Sequence, residues 1–78
     1  MTRAYVLIKS DLGAEQKIIE ELENLEQVIQ VEEIFGDYDL IVKLEAEHSI
    51  KIREVISWDI KNIKGVRATK TLMKKEQE

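Results

Sequence analysis

The order in which apolar periodicity changes along the chain constrains its fold more than any other feature. Tyr5-Val6-Leu7-Ile8 is a continuous run of strand formers, closed by Lys9-Ser10-Asp11. From Ala14 to Leu25 the period becomes helical. Ile18, Ile19, Leu22 and Leu25 share one face, and Glu15, Lys17, Glu20, Glu21 and Glu23 cover the other. Ser10 or Asp11 is placed to cap this helix, and Gly13 fits the turn before it. Val28 to Phe35 returns to strand chemistry. Ile29 and Val31 share one parity and Ile34 takes the other, so a β-bulge is expected near Glu32-Glu33. Gly36-Asp37 marks a turn, and Asp39 to Glu45 puts Leu40, Val42 and Leu44 on one face with Ile41 on the other. Ser49 is placed to cap a second helix that continues from Lys51 to Asn62, with Ile52, Val55, Ile56 and Ile60 as its stripe and Ile63 beyond. Lys64-Gly65 closes it as a glycine C-cap does, and Val66 to Met73 is a last strand.

Strand, helix, strand, strand, helix, strand, joined by right-handed crossovers, makes an α+β fold. It is the ferredoxin-like βαββαβ arrangement, a four-stranded antiparallel sheet with both helices on one face. The second face is then uncovered, yet it is partly apolar. Tyr5 and Leu7 oppose Val6 and Ile8, Ile41 opposes Leu40 and Val42, and Met73 opposes Val66 and Leu72. Such a face predicts an interface, here face-to-face dimers. Size points the same way. The 78 residues make one domain, 1–78, which buries only about 60–65% of its unfolded surface. The absence of cysteine excludes disulfides and thiolate metal sites, and the single histidine, His48, excludes a multi-histidine site within one chain. Oligomerisation is the remaining way to stabilise so small a core.

The formal charge of −4 argues against direct DNA or RNA binding. The longest basic cluster, Lys74-Lys75, lies in a polar tail, Lys74 to Glu78, that reads as frayed. No apolar run approaches the roughly 18 residues of a membrane span. Met1-Thr2-Arg3-Ala4 enters a strand without the layout of a signal peptide. A cytoplasmic protein without membrane contact is expected, with no metal and no cofactor.

The most informative segment is Ile34-Phe35-Gly36-Asp37-Tyr38-Asp39-Leu40-Ile41, between the second and third strands. Gly36 permits positive φ and successive exposed N–H groups, which suit a carboxylate. Asp37 and Asp39 are acceptors for an ammonium group, and Tyr38 supplies a ring wall and a hydroxyl. Together these contacts suit a zwitterionic amino acid. The plain alternative is a polar hairpin with a glycine bulge.

Other residues have plain readings too. His48, between Glu47 and Ser49, reads as a solvated or capping residue, with no Ser or Cys at nucleophile spacing. Trp58 is either an interface anchor or a partly buried helix residue. Glu20-Glu21 and Glu32-Glu33 point in different directions and read as solvated faces. Ser10-Asp11-Leu12-Gly13-Ala14-Glu15 lacks the arginine and glycines of an acylphosphatase-like phosphate loop. For an RNA-recognition sheet, Tyr5 is the one aromatic candidate.

Three segments in order carry a family resemblance: Ala4-Tyr5-Val6-Leu7-Ile8-Lys9; Gly36-Asp37-Tyr38-Asp39 with the strand Leu40 to Leu44; and Gly65-Val66-Arg67-Ala68-Thr69-Lys70-Thr71. Over nearly its whole length the chain resembles the effector-binding (RAM) domain of the Lrp/AsnC transcription regulators. The resemblance implies a βαββαβ domain that pairs through its sheets, and dimers that assemble into rings, commonly of eight chains. It also implies a small effector, typically an amino acid, bound where dimers meet. Carried over by position, the binding residues are Gly36, Asp37, Tyr38 and Asp39, with Thr69 and Thr71 matching the family's closing threonines. The helix-turn-helix domain of the full regulators has no counterpart in these residues. The resemblance therefore implies a stand-alone form that acts on transcription indirectly, through full-length regulators, and is not an enzyme.

Three other readings remain beside it. An ACT-type regulatory domain shares the topology but places its ligand near the loop after the first strand. A small dimeric α/β-barrel enzyme would use His48, Tyr38 and Asp39 around a cavity in each monomer. A purely structural assembly subunit would bind no ligand.

Overall fold

A computed structural model of the chain describes residues 1–73. The polar tail from Lys74 to Glu78 lies outside the described residues. The elements are β1 (Thr2–Ser10), α1 (Glu15–Glu23), β2 (Val28–Glu33), β3 (Leu40–Ala46), α2 (Ser49–Glu54), which runs on as a π-helix over Val55–Ile60, and β4 (Val66–Met73). The strands form one antiparallel sheet in the order β2-β3-β1-β4. This is the ferredoxin-like βαββαβ fold expected from the periodicities.

The helix-covered face is aliphatic. Ala4, Val6, Ile8, Leu40, Val42 and Leu44 from the two central strands are fully buried against Ile18 and Leu22 of α1 and Ile52, Val55, Ile56, Ile60 and Ile63 of the second helical segment and its exit. Each buried aliphatic side chain contributes about 1.5–3 kcal/mol relative to exposure. Ser10 is the one buried polar residue among those described.

Both edge strands carry a bulge, and both bulges change side-chain parity. In β2 the partners run from Val28↔Leu44 to Gln30↔Lys43, so Ile29 is the extra residue. The irregularity expected near Glu32-Glu33 therefore lies at the strand's beginning. It brings Val28 and Val31, three apart, onto the core side and leaves Ile29 half exposed. In β4 the partners run from Ser10↔Val66 to Lys9↔Ala68, so Arg67 is the extra residue. Val66 packs on the core, but beyond the bulge Leu72 faces Tyr5 and Met73 faces Ala4. The apolar residue that β4 adds to the open face is thus Leu72, and the parity expected of Met73 is reversed. A bulge depends on the partner strand, so one strand's alternation does not show it.

The caps also differ from expectation. Ala14 occupies the N-cap position of α1 and His48 that of α2, neither with a side-chain cap bond. Ser10 is turned to another partner, and Ser49 is already inside α2. The second helix widens where Lys61 N–H donates to the Ile56 carbonyl at 3.0 Å, an i to i+5 bond. Ile56, Ile60 and Ile63 stay buried through this turn, while Trp58 is 72% exposed. Among the described residues no helix is long and apolar enough to cross a membrane.

Candidate functional site

Three connections meet at one end of the sheet: residues 11–14, 34–39 and 61–65. A backbone bond joins the first to the third, and a second closes the first on itself. Asp11 N–H donates to the Gly65 carbonyl at 2.7 Å, and Ala14 N–H to the Asp11 carbonyl at 3.0 Å. Gly65, at φ +101°, lies so close to α1 that a Cβ there would stand 2.7 Å from the Ala14 Cβ.

The second connection is tied to β1 through Asp39. Its N–H donates to the Ile8 carbonyl at 2.8 Å, and its carbonyl accepts from Ile34 N–H at 2.9 Å. Its carboxylate Oδ2 accepts from Ser10 N–H at 2.8 Å and from the Ser10 hydroxyl at 3.3 Å. The physical reason is the end of the ladder. β3 begins at Leu40, paired with Ile8, so two residues further on Ser10 has no β3 backbone partner. A buried N–H without an acceptor costs about 1–3 kcal/mol, and the Asp39 carboxylate supplies one. This link joins residues 29 apart. Its one trace in the sequence is a polar residue at the core parity of β1, after Ala4, Val6 and Ile8.

Between these anchors the loop faces solvent. Gly36 has φ +120° with no atom within 4 Å of a built Cβ, so glycine is required there by backbone conformation and not by crowding. Asp37 is exposed and Tyr38 is half-buried. The free carboxylate of Asp37, the phenol of Tyr38 and the open backbone around Gly36 offer an ammonium acceptor, a hydroxyl and N–H donors. Asp39 already has one oxygen committed to Ser10.

The structure gathers Gly36, Asp37, Tyr38 and Asp39 with Ser10, and holds the threonines apart. Thr69 pairs with Ile8 across the other side of β1 from Leu40, about two strand spacings, or roughly 10 Å, away. Thr71 pairs with Val6, one pleat further from the loop. Beyond Val66, Thr69 is the one residue of β4 that is not exposed. His48 is exposed at the opposite end of the sheet. No group of three His, Cys, Asp or Glu among the described residues could hold a metal ion.

Comparison with known proteins gives this geometry a lineage. Residues 3–77 match the family model described as "Lrp/AsnC ligand binding domain". The chain is 31% identical over 70 residues to the HTH-type transcriptional regulator FL11 of Pyrococcus abyssi, covering 90% of this chain and 46% of that protein. It therefore spans about half the length of this curated relative. A shorter match, 45% identical over 47 residues, covers 60% of this chain and 10% of a homocitrate synthase from Sulfolobus acidocaldarius. Among solved structures, TTHA0845 from Thermus thermophilus superposes with a TM-score of 0.92 at 28% identity, covering all of this chain and 98% of that one. A transcriptional regulator from Neisseria meningitidis, solved as its L-Met complex, shares the fold alone, with a TM-score of 0.87 at 9% identity over 97% of this chain and 51% of that one. A family match over almost every residue, on a sheet and loop of the expected form, places this chain in the Lrp/AsnC ligand binding domain family.

Proposed function

We propose that this chain is a self-associating, non-catalytic amino-acid sensor. Its dimers pair through the open sheet face and join into a ring, commonly of eight chains. The effector binds where dimers meet, against Gly36, Asp37, Tyr38 and Asp39, with Thr69 and Thr71 lining the same contact. The sensor is cytoplasmic, does not itself touch DNA, and modulates transcription through full-length Lrp/AsnC-type regulators. The whole described unit, from β1 to β4, acts as one ligand-binding domain.

The observation that carries this reading is the 34–39 loop. It is anchored at both ends by Asp39 and Ile34 yet open at Gly36 and Asp37. An anchored loop binds a small zwitterion without the entropy cost of ordering itself. The L-Met complex of the Neisseria regulator supports the ligand class at the level of the fold. The non-catalytic reading draws on the aliphatic interior, since neither His48, Tyr38 nor Asp39 belongs to the buried set.

Thermal unfolding with each common amino acid at millimolar concentration tests it. An effector at 100 times its Kd stabilises the native form by about 2.7 kcal/mol. The expected result is a shift with one or a few amino acids that is lost in Asp37→Ala, a variant at an exposed position. No shift with any of them sinks the amino-acid assignment.

A further inference from the structure

Charge is sorted along this chain, and the fold sends the two signs to opposite edges of the sheet. Between Lys17 and Lys43 there is no lysine or arginine, and Glu20, Glu21, Glu23, Glu26, Glu32 and Glu33 all stand exposed. Between Asp59 and the end of β4 there is no aspartate or glutamate, and Lys61, Lys64, Arg67 and Lys70 all stand exposed. The acidic stretch holds most of α1 and all of β2, which pack together, and the basic stretch holds all of β4. β2 and β4 are the two edges of the sheet. Neither group is neutralised within the chain. Arg67 has Asp11 opposite it, Nε to Oδ1 3.5 Å, with both side chains mostly in water. Among the described residues the other members of the two groups have no ion-pair partner.

Like charges on one edge repel one another, and a surface of opposite sign relieves that cost. The two edges also match in direction. β4 is antiparallel to β1, β1 to β3 and β3 to β2, so β4 and β2 run in opposite senses. Two copies set side by side in the same orientation therefore bring a basic edge against an acidic one with their strands antiparallel. An open groove of about 420 Å³, lined by Lys61, Val66, Arg67, Ala68 and Thr69, lies on the basic edge and has room for side chains of a neighbour. A nucleic acid or an anionic membrane would attract one edge and repel the other, whereas a second copy engages both. Because the edges are different surfaces, such a contact is head-to-tail, and a series of them closes into a ring where the rotation permits.

We propose that the acidic α1–β2 edge of one copy docks on the basic β4 edge of the next, and that this charge-matched contact joins dimers already paired through their sheet faces. This rests on the assembly reading above and names the surface that builds the ring. The contact sets Thr69 of one copy beside the 34–39 connection of the next, from which β1 separates it within a single chain.

Sedimentation velocity at about 0.1 M and about 1 M salt tests the contact, since the screening length falls from roughly 10 Å to roughly 3 Å. The expected result is a species larger than a dimer at low salt that falls to dimers at high salt. Lys61→Glu, Lys64→Glu and Arg67→Glu together, or Glu23→Lys, Glu26→Lys and Glu33→Lys together, should each leave only dimers at low salt. An equal mixture of the two variants should restore the larger species, because each reversed edge then meets its complement. All six positions are exposed, so circular dichroism should show the parent fold in both variants. A large parent species that neither salt nor the reversals move overturns the charged contact and leaves the sensor reading standing. So does a mixture that stays dimeric. A parent that never exceeds a dimer at either salt overturns the ring reading and this contact together.

Discussion

The same two central strands build two different surfaces. On the helix side, β1 and β3 present Ala4, Val6, Ile8, Leu40, Val42 and Leu44, every one fully buried. On the other side they present Tyr5, Leu7, Ile41 and Lys43, each only half-buried, with Gln30 and Glu32 of β2 flanking them and Leu72 of β4 opposite Tyr5. The covered face is apolar throughout because the helices complete it within one chain. The open face is mixed: apolar at its centre and polar toward its edges. That is how an interface between separately folded units is composed, since each unit must remain soluble before it pairs. Within one sheet, the buried core and the open face are thus assigned to opposite parities of the same strands, and the association proposed above draws on the open one.

The contrast can be attacked from either face. The largest effect is expected from Leu44→Ala, which opens a cavity under the helices. It should cost about 2–5 kcal/mol in urea unfolding, against a total margin of about 4–12 kcal/mol for a domain of this size. Gly65→Ala should follow at about 2 kcal/mol. It sets a Cβ against Ala14 and forces an L residue to φ +101°, whereas Gly36→Ala meets no neighbour and should cost about 1 kcal/mol from backbone conformation alone. Ile41→Glu, on the open face, should change the stability of the isolated domain by under about 1 kcal/mol but dissociate the assembly in sedimentation. If the assembly survives that charge, the open face is not where copies meet. The smallest effect is expected at Trp58→Ala, whose side chain is mostly in water; it should lie within about 0.5 kcal/mol by the same urea measurement.

The site is legible in the sequence to an uneven degree. Gly36, Asp37, Tyr38 and Asp39 are adjacent, and a glycine among acids between two strands marks a turn whatever the partners are. The commitment of Asp39 to Ser10 is hidden, because it exists only once β1 and β3 are side by side and β3 has ended too soon to satisfy Ser10. That Leu12 and Phe35 stand fully in solvent is hidden for a related reason. An apolar residue in a short loop is as often tucked under as exposed, and the chain path around it decides. The family resemblance implies that Thr69 and Thr71 lie beside the loop, but within a single chain β1 keeps them apart.

Element order, the buried stripes and the strand parity of β1 and β3 follow from the residues themselves. Apolar spacing is a local property, and one spacing suits a helix and another a strand before either has a partner. The bulges at Ile29 and Arg67, the exchange of Leu72 for Met73 on the open face, the π-turn after Glu54 and the Ser10–Asp39 link required the assembled sheet. Each is a response to a neighbour far away in the chain: an edge strand adjusting its register to reach the core, a helix widening to keep Ile60 and Ile63 on the sheet, a carboxylate filling the place of a missing strand residue. Such adjustments arise from contacts that do not exist until the chain has folded.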